Sequence, residues 1–448
     1  MKSIYAIFTK YIVLWGFFFF MAIGLPVIFA MLAASGIELW HLNKGALITQ
    51  LMNKIYTQTS SFPLMAVPFF ILAGELMNSG FFTKALVNFS RSMLGHLHGG
   101  LAYVNIVSSL LFAGLSGSAV ADTSALGSML IPAMEKNGYS RRFAAAVTAA
   151  SSVIGPIIPP SGLMVLYAFI MNVNIIHMFL GGIIPGVMIA ISLCIVTYFM
   201  SKRRNFPISN ERASAKERVN AFGKAFFPLL TPVILLGGIL GGQATPTEAA
   251  SLAVFYALCL NIVMTILQRK GIVKSGGMSW AHFIAILKRS AIQTSVILLL
   301  VGVAAGYSFA ITVAHLPEAL TSILKGYTEN KYVFLFIVNL LLFLVGMVLD
   351  AGPAILILGP ILSGMAAAYG VDPVHFAILM CVNVTVGLAT PPMGLVLFVA
   401  ATVAREKFVN IVKEIIPFLI AEIIVIFMIT YIPILTLGLP RLYDMMTQ

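Results

Sequence analysis

Gly155-Pro156-Ile157-Ile158-Pro159-Pro160-Ser161-Gly162 and Gly387-Leu388-Ala389-Thr390-Pro391-Pro392-Met393-Gly394 share one pattern, Gly-x3-Pro-Pro-x-Gly, and each sits inside an apolar stretch. Proline lacks an amide donor and clashes with the preceding turn, so two prolines flanked by glycines stop a helix. Unwound backbone at membrane depth survives only where it is buried in protein or lines a cavity. Its freed carbonyls suit a hard cation such as Na⁺, and the half-helix that follows offers its N-terminus to an anion. The competing reading is a kink that only shapes packing. The duplication favours a binding role, because polar residues stand one turn upstream in both copies: Ser151 and Ser152, then Asn383 and Thr385. Taken singly, each such hydroxyl has the alternative of bonding its own helix.

The two breaks belong to a longer repeat. A shift of 232 residues carries Gly74, Gly114, Gly127, Gly138, Gly155 and Gly162 onto Gly306, Gly346, Gly359, Gly370, Gly387 and Gly394, without a gap. The windows of 89 residues hold 11 and 9 glycines, so chance gives about one coincidence where six occur.

The composition says where the repeat lives. Of 448 residues, 60% are apolar and 9% charged, with a mean hydropathy of +1.01; soluble domains carry about 25% charged residues. A soluble enzyme, a nucleic-acid-binding module and a disordered chain are excluded. The apolar blocks run over 11–35, 62–79, 99–134, 141–175, 176–200, 226–243, 245–267, 291–313, 332–368, 373–404 and 411–437. Many approach the ~20 residues that cross a bilayer. Leu42–Ser60, Phe81–His96, Trp280–Arg289 and Leu316–Tyr327 are amphipathic and read as interfacial or bracing helices. Cys194, Cys259 and Cys381 all lie in apolar runs and form no disulfide framework or metal spacing. Lys2 and Lys10 precede an apolar block with no small-residue cleavage site, which reads as a retained helix.

The net charge of +12 records topology. The basic loop 201–224 is cytoplasmic by the positive-inside rule. Blocks 99–134 and 332–368 are long enough for two passes, yet each has polar and glycine residues at its middle. Read as re-entrant hairpins, they leave 22 of the 27 basic residues inside, with only Lys44, Lys54, Lys325, Lys331 and Arg441 outside. The N-terminus is then cytoplasmic, the C-terminus external, and the copies are inverted about the membrane plane, as in many secondary transporters. A parallel repeat is the alternative.

The hairpin tips are the second constellation. The first holds Gly114, Ser116, Gly117, Ser118, Asp122, Thr123 and Ser124; the second holds Gly346, Asp350, Gly352 and Pro353. Two of the four aspartates thus mark the tips, and ionisable residues in membrane segments are functional by default. Both aspartates also have the option of acting as helix N-caps. Glu248 reads as part of a capping box with Thr245, whereas Glu75 and Glu422 have no evident partner. No nucleophile–base pair, phosphate loop or ATPase motif appears, so the sequence reads as a transport protein and not an enzyme.

The stretch GLSGSAVADTSALGSMLIPAMEKNGYSRRFAAAVTAASSVIGPIIPPSG (114–162) and NVTVGLATPPMG (383–394) resemble the large membrane subunit of tripartite ATP-independent periplasmic (TRAP) transporters, the DctM-like family. The resemblance covers essentially the whole chain. It implies an all-α polytopic protein of the bacterial inner membrane, an elevator-type transporter similar to the ion transporter superfamily, driven by Na⁺. It implies a solute handed over by a periplasmic binding protein and a small four-helix membrane subunit as a separate chain. By the resemblance, 1–98, 176–331 and 405–448 supply scaffold and arm helices, while 99–175 and 332–404 form the transport domain. The Na⁺ positions it implies are Ser116, Ser118, Ser151, Gly155, Ile158 and Pro160, with a second set of Gly346, Asp350, Gly387, Thr390 and Met393. It places the solute, a carboxylate or sugar acid such as a sialic acid or dicarboxylate, near Asp122, Thr123, Pro159 and Asp350. A stand-alone Na⁺- or H⁺-coupled transporter and, from another class, a channel built on re-entrant loops are the rival readings.

Overall fold

The computed structural model describes residues 12–78, 80–206, 212–271 and 277–447, and every regular element among them is helical. The first apolar block departs from expectation. It is two helices, α1 (Ile12–Ala22) and α2 (Val27–His41), packed side by side. Gly24, at φ +89°, and Pro26 turn the chain between them. A left-handed backbone favours glycine, and the missing amide of proline costs nothing at a helix start. The amide of Val13 donates to Glu38 Oε2 over 2.7 Å, so the pair is antiparallel and Ile12 lies at the same end as His41. The charge count had put the N-terminus at the opposite end from Lys44; the terminal residues themselves, Lys2 and Lys10 among them, lie outside the described residues.

Next come α3 (Ile48–Thr59) and α4 (Ala66–Met77), a pair bent by 50° at the break between them, and α5 (Gly80–Leu94). The first hairpin is α6 (Gly100–Ser116) and α7 (Ala119–Lys136), and the halves of the first broken helix are α8 (Arg141–Ser152) and α9 (Gly162–Met171). Four continuous helices follow, each long and apolar enough to cross a membrane: α10 (Ile175–Arg203), α11 (Ala215–Leu240), α12 (Pro246–Arg269) and α13 (Trp280–Val313). Trp280–Arg289, expected to stand apart as an amphipathic stretch, is the beginning of α13. The second copy is α14 (Leu316–Lys325), the hairpin of α15 (Lys331–Gly346) and α16 (Ala351–Ala368), and the broken helix of α17 (Pro373–Gly387) and α18 (Leu395–Ala404). The chain closes with α19 (Phe408–Tyr431) and α20 (Ile434–Thr447), bent by 52°.

Shifted by 232 residues, α6 through α9 fall on α15 through α18. The copies interlock. The half-helix after each break packs on the second hairpin arm of the other copy, α18 on α7 and α9 on α16. Their inversion follows from counting. Glu414 holds Arg142, at the start of α8, and Arg204, at the end of α10, while three residues join α9 to α10. The broken helix therefore spans the same thickness as α10. Together with α10, α11, α12 and α13 it makes five crossings between the starts of α8 and α17, with the hairpin of α15 and α16 returning to its own side, and an odd number turns the second copy over.

Phe255, Ile262, Phe227, Ile292 and Val296 stand exposed on α11, α12 and α13, the surface a bilayer covers. The three cysteines are free.

Candidate functional site

Each hairpin tip docks onto the break of its own copy. In the first, Gly117 turns the chain at φ +60°, Ser118 caps α7 by accepting from the Ala121 amide at 3.4 Å, and Ser116 Oγ donates to Asp122 Oδ1. Asp122 is therefore not the cap that its position allowed. It is fully buried, and its second oxygen has no hydrogen-bond partner. That oxygen points at the break: a Cβ on Gly155 would lie 2.5 Å from Asp122 Oδ2. Only a glycine leaves this room. The Pro160 carbonyl faces the tip as well, 3.4 Å from where a Gly117 Cβ would stand. Ser161 ties the loop together, donating to the Pro156 carbonyl at 2.5 Å and capping α9 by accepting from the Met164 amide. The Pro159–Pro160 and Pro391–Pro392 peptides are both cis.

The other expected residues divide by contact. Ser151 is buried and lies 2.8 Å from Ser109 Oγ on α6, away from the tip. Above it Asn105 donates to Thr148 Oγ1 at 2.7 Å. Thr123 spends its proton on the Ala119 carbonyl, 2.8 Å away, and is fully buried. Ile158 packs its side chain against Gly186 of α10, which leaves its carbonyl as its polar group.

In the second copy the contact is backbone on backbone. A Cβ on Gly387 would come within 2.7 Å of the Gly346 carbonyl carbon, so two glycines let hairpin and broken helix touch. The Gly394 amide donates to the Met347 carbonyl at 3.0 Å, which fastens the tip to the break. Asp350 is the N-cap of α16, accepting from the Ala351 amide at 2.8 Å. Thr390 donates to the Val386 carbonyl, and Met393 is 46% exposed. Asn383, at the position equivalent to Ser151, donates to Asn339 on the hairpin arm at 2.8 Å, and Asn339 continues to Thr430 of α19 at 2.9 Å.

The hairpin-arm partners Ser109, Asn105 and Asn339 escaped sequence reasoning. Their signal was present: polar residues inside the apolar arms, facing the upstream polar pair of each broken helix. Glu75 also finds its explanation, accepting from Arg289 Nε at 3.1 Å. Glu422 keeps its singularity, buried on α19 with both oxygens unbonded.

Two interlocked copies, each joining a hairpin tip to a Gly–Pro break, are an architecture of secondary transporters. The chain belongs to the DctM component family of tripartite ATP-independent periplasmic transporters, whose family model matches residues 14–435. It is 39% identical over 384 residues to the sialic acid TRAP transporter large permease protein SiaM of Vibrio cholerae, covering 86% of this chain and 87% of the relative. It is 36% identical over 423 residues to the isethionate TRAP transporter permease protein DctMQ of Oleidesulfovibrio alaskensis, covering 94% of this chain and 65% of that longer one. Among solved structures, the YdaH transporter of Alcanivorax borkumensis shares the fold, with a TM-score of 0.57 at 16% identity over 89% of this chain and 87% of that one.

Proposed function

We propose that the chain is the transport subunit of a Na⁺-coupled importer for a small organic anion, which a periplasmic binding protein delivers and an elevator movement carries inward. The observation that carries the reading is the orphaned Asp122 oxygen against Gly155. Ser116 holds one oxygen of this buried carboxylate, and the other, left without a partner among hydroxyl and carbonyl oxygens, offers a cation a ligand. Ser116, Ser118, Gly155, Ile158 and Pro160 are the donors assigned to the first ion. Ser151 braces α8 behind them. Gly346, Asp350, Gly387, Thr390 and Met393 are assigned to the second, largely through backbone carbonyls.

The positive ions offset the charge of the solute and order the tips, so the loaded body moves while a bare one resists moving. The solute class follows the relatives, since sialic acid and isethionate are both small organic anions. We place the solute between the tips, near Pro159 and Asp350, with Asp122 and Thr123 shaping the first tip from within. A small membrane subunit completes the scaffold. We group α10 and α19 with the moving body, because they pack on α8 and α17, although their sequence ranges had placed them with the scaffold. We place α20, whose Asp444 pairs with His177 and whose Tyr443 donates to the Leu240 carbonyl, on the periplasmic side.

The test is the Na⁺ titration of uptake by Ser116→Ala/Ser151→Ala in proteoliposomes with both partners. The Na⁺ concentration for half-maximal uptake should rise about tenfold, the loss of about 1.4 kcal/mol. A titration identical to that of the wild type would overturn the first-site assignment.

A further inference from the structure

The last helix touches two bodies at once. α20 turns away from α19 by 52° after Tyr431 and lies along α10. Contacts with α17 and α10 fasten it there. Thr436 Oγ1 stands 2.7 Å from His375 Nδ1 on α17, and Nε2 of the same ring stands 3.3 Å from the Thr430 carbonyl on α19. Thr436 and His375 are both buried. A Cβ on Gly181 of α10 would lie 2.9 Å from the Thr436 carbonyl, so the two backbones meet where no side chain intervenes. Two turns further on, Asp444 pairs with His177 at 2.9 Å, close to the start of α10. α20 is thereby built into the group of α8, α10, α17 and α19.

One bond leaves this group. Tyr443 Oη donates to the carbonyl of Leu240, the last residue of α11, over 3.0 Å. The final carbonyls of a helix have no partner within it, and no backbone amide among the described residues reaches this one. Among the described residues it is the one hydrogen bond that α20 makes to α11.

We propose that Tyr443 is a latch: its hydroxyl holds α20 against the end of α11 in the present conformation and lets go when the transport body moves. The assignment rests on the elevator reading above, in which α10 and α17 move and α11 stays. The unequal attachment decides where the contact parts. Toward α10 and α17 the helix has a buried hydroxyl–imidazole bond, a close backbone approach and a carboxylate–imidazole pair. Toward α11 it has a single hydroxyl on a carbonyl. One net hydrogen bond shifts a two-state equilibrium only about two- to tenfold, enough to bias the resting state and too little to prevent release.

The test is the distance between spin labels at Arg441→Cys on α20 and Gln243→Cys after α11, both exposed positions. It uses the full chain with its small subunit in lipid, in a background where Cys194, Cys259 and Cys381 are alanine and uptake is kept. A short and a long distance are expected. Tyr443→Phe removes only the hydroxyl and should raise the ratio of long to short about two- to tenfold. Asp444→Ala cuts a contact within the moving group and should leave the ratio at its wild-type value. A ratio that Tyr443→Phe does not change, or that Asp444→Ala changes equally, would overturn the latch. A single short distance in every variant would overturn it too, because α20 would then never part from α11. Uptake by the same preparation tests the transport reading separately: accumulation that ignores Na⁺ would refute that reading, whatever the distances show.

Discussion

Asp122 is the residue on which the proposed first site turns, through one oxygen. Ser116 holds Oδ1, and Oδ2 faces the absent side chain of Gly155. Gly155→Ala would force that carboxylate aside. Na⁺-driven uptake should fall at least tenfold while the protein still assembles, as read by proteoliposome transport beside size-exclusion profiles. Glu422 poses the opposite case, a carboxylate with no partner on either oxygen. An unpaired buried charge costs several kcal/mol, so a neutral side chain fits this position and a fixed cation does not. Glu422→Gln should therefore keep both yield and uptake within about twofold, whereas Glu422→Lys should not yield folded protein. The aspartates themselves were legible, since an ionisable group in a membrane tip stands out in any apolar sequence. Their roles were not. Whether Asp122 caps a helix or faces a break depends on Ser118 taking the cap, a choice made by local geometry. The partner of Glu75 lies 214 residues away, beyond any local pattern.

At the scale of elements, the breaks and hairpin tips were readable because glycine and proline act locally on the backbone. The same reasoning failed at Gly24-Leu25-Pro26, where a turn is hidden inside one apolar run. Hydropathy averages over a window and does not register a reversal of direction. It also failed at Trp280–Arg289, where charge marked a boundary that the helix ignores. The ion-pair network around Glu414 yields a prediction of its own. Glu414, nearly buried, holds Arg142 at 3.1 Å and Arg204 at 2.6 Å, joining α8, α10 and α19. Hydrogen bonds to charged groups contribute about 1.5–3 kcal/mol each. Glu414→Gln should destabilise the protein in detergent by about that amount, seen as a lower thermal midpoint, with Na⁺ affinity unchanged. At the second break, Gly387→Ala would drive a Cβ into Gly346. It should part hairpin from broken helix and abolish uptake without preventing membrane insertion.

For the whole molecule, the repeat was the most legible feature, because duplicated glycines need no knowledge of contacts. Its inversion came from loop charges and gains support from an odd number of crossings between Arg141 and Pro373. The packing of α10 and α19 on α8 and α17 was invisible in sequence, since an apolar helix carries no label for the neighbours it packs against. In the proposed elevator movement the interlocked copies, with these two helices, would be the unit that slides past α1–α5 and α11–α14, with ion binding at both breaks as the proposed condition for movement. The direct test is uptake of an organic anion by proteoliposomes holding this chain and its small subunit, with the binding protein supplied outside. An inward Na⁺ gradient should drive accumulation, and replacing external Na⁺ with choline should abolish it. Accumulation that persists in choline would contradict the account.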